Sequence, residues 1–262
     1  MICKICGTAV EKLFRKKILQ KYDVDYFQCP RCKFIQTEEP HWLKEAYENS
    51  INIEDTGLVQ RNLLFSKRTS ILLYSLFDRK AKFLDYGGGY GLFVRLMRDY
   101  GFDFFWKDPF TDNIFARGFE HIDGLDQQYE AVTSFECFEH FLDPQKELET
   151  MLSFSDSIIF STETFDHNAP LPDNWEYYYF SHGQHIALYS LESLQFMAKK
   201  NQRNFYTNGK SFHMITSKRI NNSIFNILLK VSLVGIPSFI KVALGSKTKS
   251  DSLYSQNQRI SL

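Results

Sequence analysis

One short run limits the fold of this chain more than any other: Asp85-Tyr86-Gly87-Gly88-Gly89-Tyr90-Gly91, a D-x-G-x-G-x-G sequence. Before it, Ala81-Lys82-Phe83-Leu84-Asp85 reads as a short buried strand ending in an acid. After it, residues 92–100 read as a helix. Glycines at such a strand-to-helix turn let the backbone bend sharply, and a ligand can approach with no Cβ in its way. A dinucleotide turn needs a glycine where Leu92 stands, which counts against NAD.

The alternation continues downstream. Residues 102–107 are strand-like, 111–117 helix-like, 131–135 a strand, 144–152 a helix and 157–161 another strand. This spacing predicts βαβ units and a parallel sheet. The finish differs. A helix at 191–201 precedes two β-prone runs, 203–206 and 212–216, flanking Asn208-Gly209, which is a strong hairpin signal. Upstream, 58–77 reads as an amphipathic helix, and a linker helix is expected from about His41, after Pro40.

Four of the five cysteines form two C-x₂-C pairs, Cys3/Cys6 and Cys29/Cys32, set 22 residues apart. Each pair can aim two thiolates at one ion, so the four predict a closed tetrahedral zinc site. Such a site has no open position and serves structure rather than catalysis. β-Prone runs at 18–22 and 25–28 surround it, giving a small zinc ribbon over residues 1–40. Chelation is expected to unfold that block and leave 80–220 folded. The start shows no signal peptide, and the paired cysteines point to a cytoplasmic compartment. Lys plus Arg and Asp plus Glu number 31 each, so the basic excess usual for a nucleic-acid binder is missing.

At these residues the chain resembles the class I S-adenosylmethionine (SAM) dependent methyltransferases. Their first motif is matched by Asp85, Gly87, Gly89 and Gly91, and the acid after their second strand by Asp108 in Trp106-Lys107-Asp108-Pro109. Their fourth strand resembles the segment from Tyr129 to Pro144, which contains Glu136, Glu139 and His140. The likeness spans roughly 60–217, closest to the ubiquinone-biosynthesis-type and sugar-modifying branches, some of which carry an N-terminal zinc ribbon. It implies an α/β fold with a Rossmann-like seven-stranded methyltransferase sheet closed by a C-terminal antiparallel hairpin, plus the zinc ribbon. The expected layout is zinc ribbon 1–40, helical lead-in 41–80, SAM-binding domain 81–217, and apolar helix with polar, mobile tail 218–262. SAM is the implied cofactor, held by Asp85, Gly87, Gly89, Gly91, Asp108 and Glu136, with Asp123 (favoured over Asp126) reading the adenine.

Methyl transfer from a sulfonium to a hydroxyl or an acidic carbon calls for a general base. The candidates are His185, His140 and Glu139, beside His182, Glu136, Tyr178 and Tyr179. If a helical turn starts at Glu136, it shares a face with His140. The loop 162–181 is the expected lid or acceptor-binding element. Cys137 reads as a small lining residue.

The resemblance implies a small-molecule acceptor: a sugar, a nucleotide-sugar or a lipid-linked precursor. An RNA methyltransferase and a non-catalytic SAM-binding or partner-binding module are the alternatives. Neutral charge, and Ser134-Phe135-Glu136-Cys137 where an Asn/Asp-Pro-Pro-aromatic motif would stand, weigh against RNA. The apolar stretch 223–245 is compatible with peripheral membrane contact or dimerisation, and its lysines and Pro237 disfavour a spanning helix.

Overall fold

Short apolar strands in parallel pairing frame the centre of the chain. The computed structural model describes residues 1–48, 55–166 and 168–260. The N-terminal strands are β1 (Glu11–Ile18), β2 (Tyr22–Gln28) and β3 (Ile35–Thr37), followed by helices α1 (Leu43–Ala46) and α2 (Leu58–Leu76). Next come β4 (Lys82–Tyr86), α3 (Leu92–Asp99), β5 (Asp103–Lys107), β6 (Ala131–Ser134), α4 (Pro144–Phe154) and β7 (Ser157–Ser161). Beyond these lie β8 (Thr164–Phe165), β9 (Ala187–Ser190), α5 (Leu191–Lys200), β10 (Asn204–Thr207) and β11 (Phe212–Thr216). Helices α6 (Asn222–Val231), α7 (Ile236–Leu244) and α8 (Thr248–Ile260) end the chain.

The larger sheet has the order β10-β11-β7-β6-β4-β5, and a second sheet runs β1-β2-β3-β9-β8. The chain falls into two compact units, one of residues 1–53, 135–152 and 160–219, the other of 54–134, 153–159 and 220–262.

In the second unit β4 pairs in parallel with β5 on one side and β6 on the other, so Asp85 lies opposite both Trp106 and Thr133. Phe83, Leu84, Phe104, Ala131 and Val132 are fully buried, as expected where both faces of a parallel sheet are covered. Helix α2 buries Phe65, Thr69, Leu72 and Leu73, a stripe of helical period. Helices α6 and α7 both pack on α2. Helix α8 is clasped to α3: Arg98 Nε and Nη2 each donate to a carboxylate oxygen of Asp251 at 2.8 Å, and Arg95 adds an ion pair at 2.9 Å.

In the first unit β1, β2 and β3 are antiparallel, β9 joins β3 antiparallel, and β8 joins β9 in parallel. Ile18, Val24, Tyr26, Ile35, Trp42, Tyr178, Ile186 and Leu188 share one core. The hairpin β10/β11 turns on Asn208 and Gly209. Asn208 Oδ1 accepts from the amides of Lys210, Ser211 and Phe212 at 2.9–3.0 Å, and Gly209 takes φ +80°.

The structure departs from the sequence expectations at several points. Among the described residues the main sheet has six strands, where seven were expected. The segment 111–117 is irregular rather than helical, and the residues after it add only an isolated bridge from Trp106 to Glu120. Asn113 is the cause: its side chain accepts from the Ala116 amide at 2.9 Å and donates to the Ala116 carbonyl at 2.8 Å, replacing helix bonds. The run 18–22 is not one strand: Ile18 ends β1, Tyr22 opens β2, and residues 19–21 turn between them with Leu19 and Gln20 left-handed. In the polar tail Thr248–Ile260 form a helix, and Asp251 accepts from Arg98 at 2.8 Å. The lead-in 41–80 contributes α1 and α2, and its part at 49–54 lies outside the described residues.

Candidate functional site

The glycine turn after β4 is shaped by its neighbours. Gly87, Gly89 and Gly91 have φ of +72°, +51° and +82°, a region costly for residues with a Cβ. At Gly91 a Cβ would also lie 2.4 Å from Asn113 Oδ1. In front of Gly89 there is open space. The amides of Gly87 and Gly88 donate to the Lys107 carbonyl at 2.8 and 3.3 Å, while Trp106 Nε1 and Thr111 Oγ1 both donate to the Gly89 carbonyl at 2.8 Å. The turn is therefore tied to the end of β5, and its open side is at Gly89.

Two carboxylates flank it. Asp85 is buried at the end of β4 and accepts from Thr133 Oγ1 at 2.6 Å. Burial pushes its carboxyl up to about 7; the Thr133 hydrogen bond opposes this, and the Asp108 charge adds to the rise. Asp108 lies just past β5, where its two oxygens accept from the amides of Gly89 (2.9 Å), Phe110 (2.8 Å) and Thr111 (3.1 Å). Asp123 is exposed and ion-paired with Lys107, beside His121. These residues fit an adenosyl group bearing a cation. A positive-φ glycine faces open space, one acid stands at the adjacent strand end, and a buried acid lacks a positive partner among the groups that shift it.

The first unit carries a second cluster. Glu136 is left-handed at φ +54°, and a 3₁₀ turn occupies Phe138–His140. No helix turn starts at Glu136, so it does not share a helical face with His140. Glu136 is fixed instead by Ser161, whose hydroxyl accepts from the Glu136 amide at 2.8 Å and donates to Oε1 at 2.5 Å. Glu139 is buried, and its carbonyl accepts from the Ile186 amide at 2.9 Å.

His140 Nδ1 lies 3.1 Å from the Gln184 carbonyl and His185 Nδ1 2.6 Å from the Tyr177 carbonyl. Since a carbonyl only accepts, both Nδ1 atoms carry the proton and both Nε2 atoms keep a lone pair. Burial holds His140 below the usual imidazole range and His185 well below it, where the neighbouring His140 and His182 add to the effect. Both rings are thus neutral at pH 7. Their centroids are 5.0 Å apart, and ligand atoms of Glu139, His140 and His185 all lie within 4.8 Å of one another. Such a group can take a proton from a hydroxyl or hold a divalent cation.

Of the other candidates, Tyr179 and His182 pack their rings against His185, at 5.1 and 5.3 Å between centroids, and Tyr178 lies elsewhere. Tyr178 donates to the Pro170 carbonyl at 2.9 Å and packs against Phe14, Tyr26 and Phe180, so it belongs to the core. The aromatics of 162–181 thus largely pack inward, unlike those of a free lid. Tyr179 stacks on His182. Cys137 donates to the Phe135 carbonyl at 3.2 Å. Tyr177 is the residue that sequence reasoning misses. It is buried, orients His185 through its carbonyl and shares a 3.2 Å hydrogen bond with Thr162. A run of three tyrosines gives no signal for which one turns inward.

The cysteines meet in space. Cys3 and Cys32 sulfurs lie 3.6 Å apart, Cys6 and Cys29 sulfurs 3.3 Å, and all four fall within 4.8 Å. Gly7 (φ +74°) and Lys33 (φ +62°) turn the chain just after each pair. The Ser190 hydroxyl donates to the Cys32 carbonyl at 3.0 Å, tying this knuckle to the end of β9.

Known proteins share the fold. A family model described as a methyltransferase domain matches residues 59–205, more than half of the chain. Among the solved structures that match is an O-methyltransferase family protein from Burkholderia thailandensis. It is 11% identical, with a TM-score of 0.51, over 70% of this chain and 65% of that one. Another is TnmH, 13% identical with a TM-score of 0.50, over 69% of this chain and 62% of that one. The match spans less than two thirds of either protein, and at these identities the likeness is one of fold. No curated protein matches the chain.

Proposed function

Because this chain belongs to the methyltransferase-domain family, whose members depend on SAM, we propose that it methylates a hydroxyl of a small molecule. The acceptor class we favour is a sugar, a nucleotide-sugar or a lipid-linked precursor. The observation that carries the reading is the turn Gly87–Gly91, with open space before Gly89 and acids at two adjacent strand ends. When bound, SAM supplies an electrophilic methyl group on a sulfonium.

The chain's own residues have separable tasks. Asp108 would exchange some of its amide bonds for the ribose hydroxyls. Asp85, raised to about 7, gains from a positive charge nearby and would hold the ionised form once one arrives. Neutral His140 and His185 have the protonation state a base needs, and Glu139 beside them would stabilise the imidazolium that forms. A hydroxyl acceptor suits this group, and the similar Burkholderia thailandensis protein is an O-methyltransferase family protein.

The four cysteines we assign to a structural zinc, because four sulfurs at this separation leave no coordination position for a substrate. Metal analysis of the purified protein should return one zinc per chain, and a Cys29→Ser variant should lose it. The methyl-transfer reading is tested by calorimetry with S-adenosylhomocysteine. Wild type should bind, and Asp108→Ala should weaken binding at least about tenfold, one lost charged hydrogen-bond set. No heat from well-folded wild-type protein would end the proposal.

A further inference from the structure

Helices α6 and α7 are amphipathic, and only their inner faces are covered. Phe225 and Leu229 of the first, Ser232 just after it, and Pro237 and Ile240 of the second are buried, and both helices pack on α2. The end of α7 is closely seated, since a Cβ on Gly101 would lie 2.6 Å from the Gly245 carbonyl and from Leu244 Cβ. The outer face is different. Ile224, Ile227, Leu233, Val234, Phe239 and Val242 are exposed, Phe239 by 63% and Val242 by 81%. Ile224 and Ile227 stand three residues apart on α6, Phe239 and Val242 three apart on α7, and Leu233 and Val234 lie in the turn between the helices.

The surrounding charge has one sign. Residues 220–250 carry Lys230, Lys241, Lys247 and Lys249 and no Asp or Glu, in a chain whose overall charge is zero. Lys230 and Lys241 are exposed and bracket the apolar turn. A second copy of the chain is a poor occupant. Symmetric self-pairing would bring these lysines together with no carboxylate from the same surface to meet them. No single described helix is long and apolar enough to cross a membrane; the two together have the length and composition, but they are bent by 86° and carry Lys230 and Lys241, which suits a surface position better than a straight crossing. A bent amphipathic pair with apolar residues at its tip and lysines at its rim matches an anionic bilayer surface.

We propose that α6, the turn 232–235 and α7 form a peripheral anchor. Its outer apolar face lies at the headgroup boundary of a membrane containing anionic lipid. The anchor is independent of the methyl-transfer reading.

Flotation of the full-length protein tests it, with vesicles of phosphatidylcholine alone and of phosphatidylcholine mixed with phosphatidylglycerol. Wild type should float with the mixed vesicles and partition at least about tenfold less onto the neutral ones, as expected for several lysines near an anionic surface. Lys230→Glu/Lys241→Glu should lose about tenfold or more on mixed vesicles and show a weaker salt dependence. Leu233→Glu/Phe239→Glu should lose about a hundredfold. Both variants should keep the wild-type melting temperature, which separates lost docking from lost folding. Absence of flotation on mixed vesicles overturns the proposal, and so does equal binding to both vesicle types. A concentration-dependent dimer in sedimentation velocity, split by Leu233→Glu/Phe239→Glu, would assign the face to a second copy instead.

Discussion

Asp85 and Asp251 are both buried carboxylates of the same unit, and their surroundings are opposite. Asp251 meets two guanidinium groups, with Arg98 at 2.8 Å and Arg95 at 2.9 Å. Burial alone would raise its carboxyl, but the arginines outweigh that and hold it below the ordinary range. Asp85 meets a hydroxyl, no cation among the described residues, and the like charge of Asp108, and it rises to about 7. The first arrangement stabilises the fold. The second leaves a carboxylate charge uncompensated beside an open glycine turn, which is what a site awaiting a cationic ligand requires. A stabilising clasp and a binding site are thus distinguished by whether the protein itself supplies the counter-charge.

The sharpest break of this comparison is at the clasp. Asp251→Asn leaves Arg98 buried with its charge unmatched on that side, and breaking such a pair costs about 3–5 kcal/mol. A large drop in melting temperature is expected, with affinity for S-adenosylhomocysteine unchanged at temperatures where the variant is folded. Because the folded pKa of Asp251 is lowered, its contribution is present above the unfolded value of 3.8 and disappears as pH falls through the folded one. At pH 7, where the clasp is intact in wild type, a variant as stable as wild type would show that it does not hold the tail.

Asp85→Asn should act in the other direction. The folded pKa lies above the unfolded 3.8, so the stability linked to Asp85 is complete below 3.8 and is lost as pH rises through about 7. Removing the charge should therefore stabilise the apo protein at pH 8 by about 2–4 kcal/mol, while weakening S-adenosylhomocysteine binding by tenfold or more. Denaturant melts at pH 5 and pH 8 read this directly. A variant destabilised at pH 8 would show that the Asp85 charge is compensated after all.

The two carboxylates also differ in how far the sequence reveals them. Asp85 stands in a pattern that is local: a strand, three alternate glycines and a helix, each within a few residues of the next. The helix at 58–77 and the Asn208-Gly209 hairpin are legible for the same reason. The Arg98–Asp251 pair joins residues 153 positions apart, and nothing near either one marks the partner. The same limit hides β9. Nothing in the run 187–190 tells that it pairs with β3, more than 150 positions upstream; only the folded chain shows it. Asn113 defeats the helix expected at 111–117 because a side chain competing for backbone groups leaves periodicity unchanged. The pairing of His140 with His185 is within reach only as two separate candidates. The carbonyls of Gln184 and Tyr177, which fix their tautomers, leave no trace in residue types.

A matched pair of glycine variants sharpens the contrast between packing and site. Gly91→Ala meets both a φ of +82° and Asn113 Oδ1 at 2.4 Å, and Asn113 is held by Ala116, so it cannot move freely. It should cost about 1–3 kcal/mol of stability. Gly89→Ala meets open space and should cost no more than about 1–2 kcal/mol, from its backbone conformation alone. Its methyl group would project into that space, so its loss of S-adenosylhomocysteine affinity should exceed that of Gly91→Ala. The reverse order in calorimetry would move the ligand away from the Gly89 side of the turn.

The smallest expected effect is at Thr133, whose hydroxyl donates to Asp85 at 2.6 Å. Thr133→Val keeps the shape and removes this donor, and a hydrogen bond to a charged group favours the ionised form. The Asp85 pKa should rise further, by about half a unit to one unit. Ligand binding that needs the carboxylate ionised then requires a higher pH, so the midpoint of the affinity–pH curve should move to the alkaline side by that amount. At pH 5, where Asp85 is protonated in both proteins, their stabilities should agree to within about 1 kcal/mol. At pH 8 the variant should be weaker, because the charge has lost the Thr133 hydrogen bond. An unmoved midpoint would mean that the pH dependence of binding belongs to another group, and Asp85 would lose its role as the charge that waits for the cofactor.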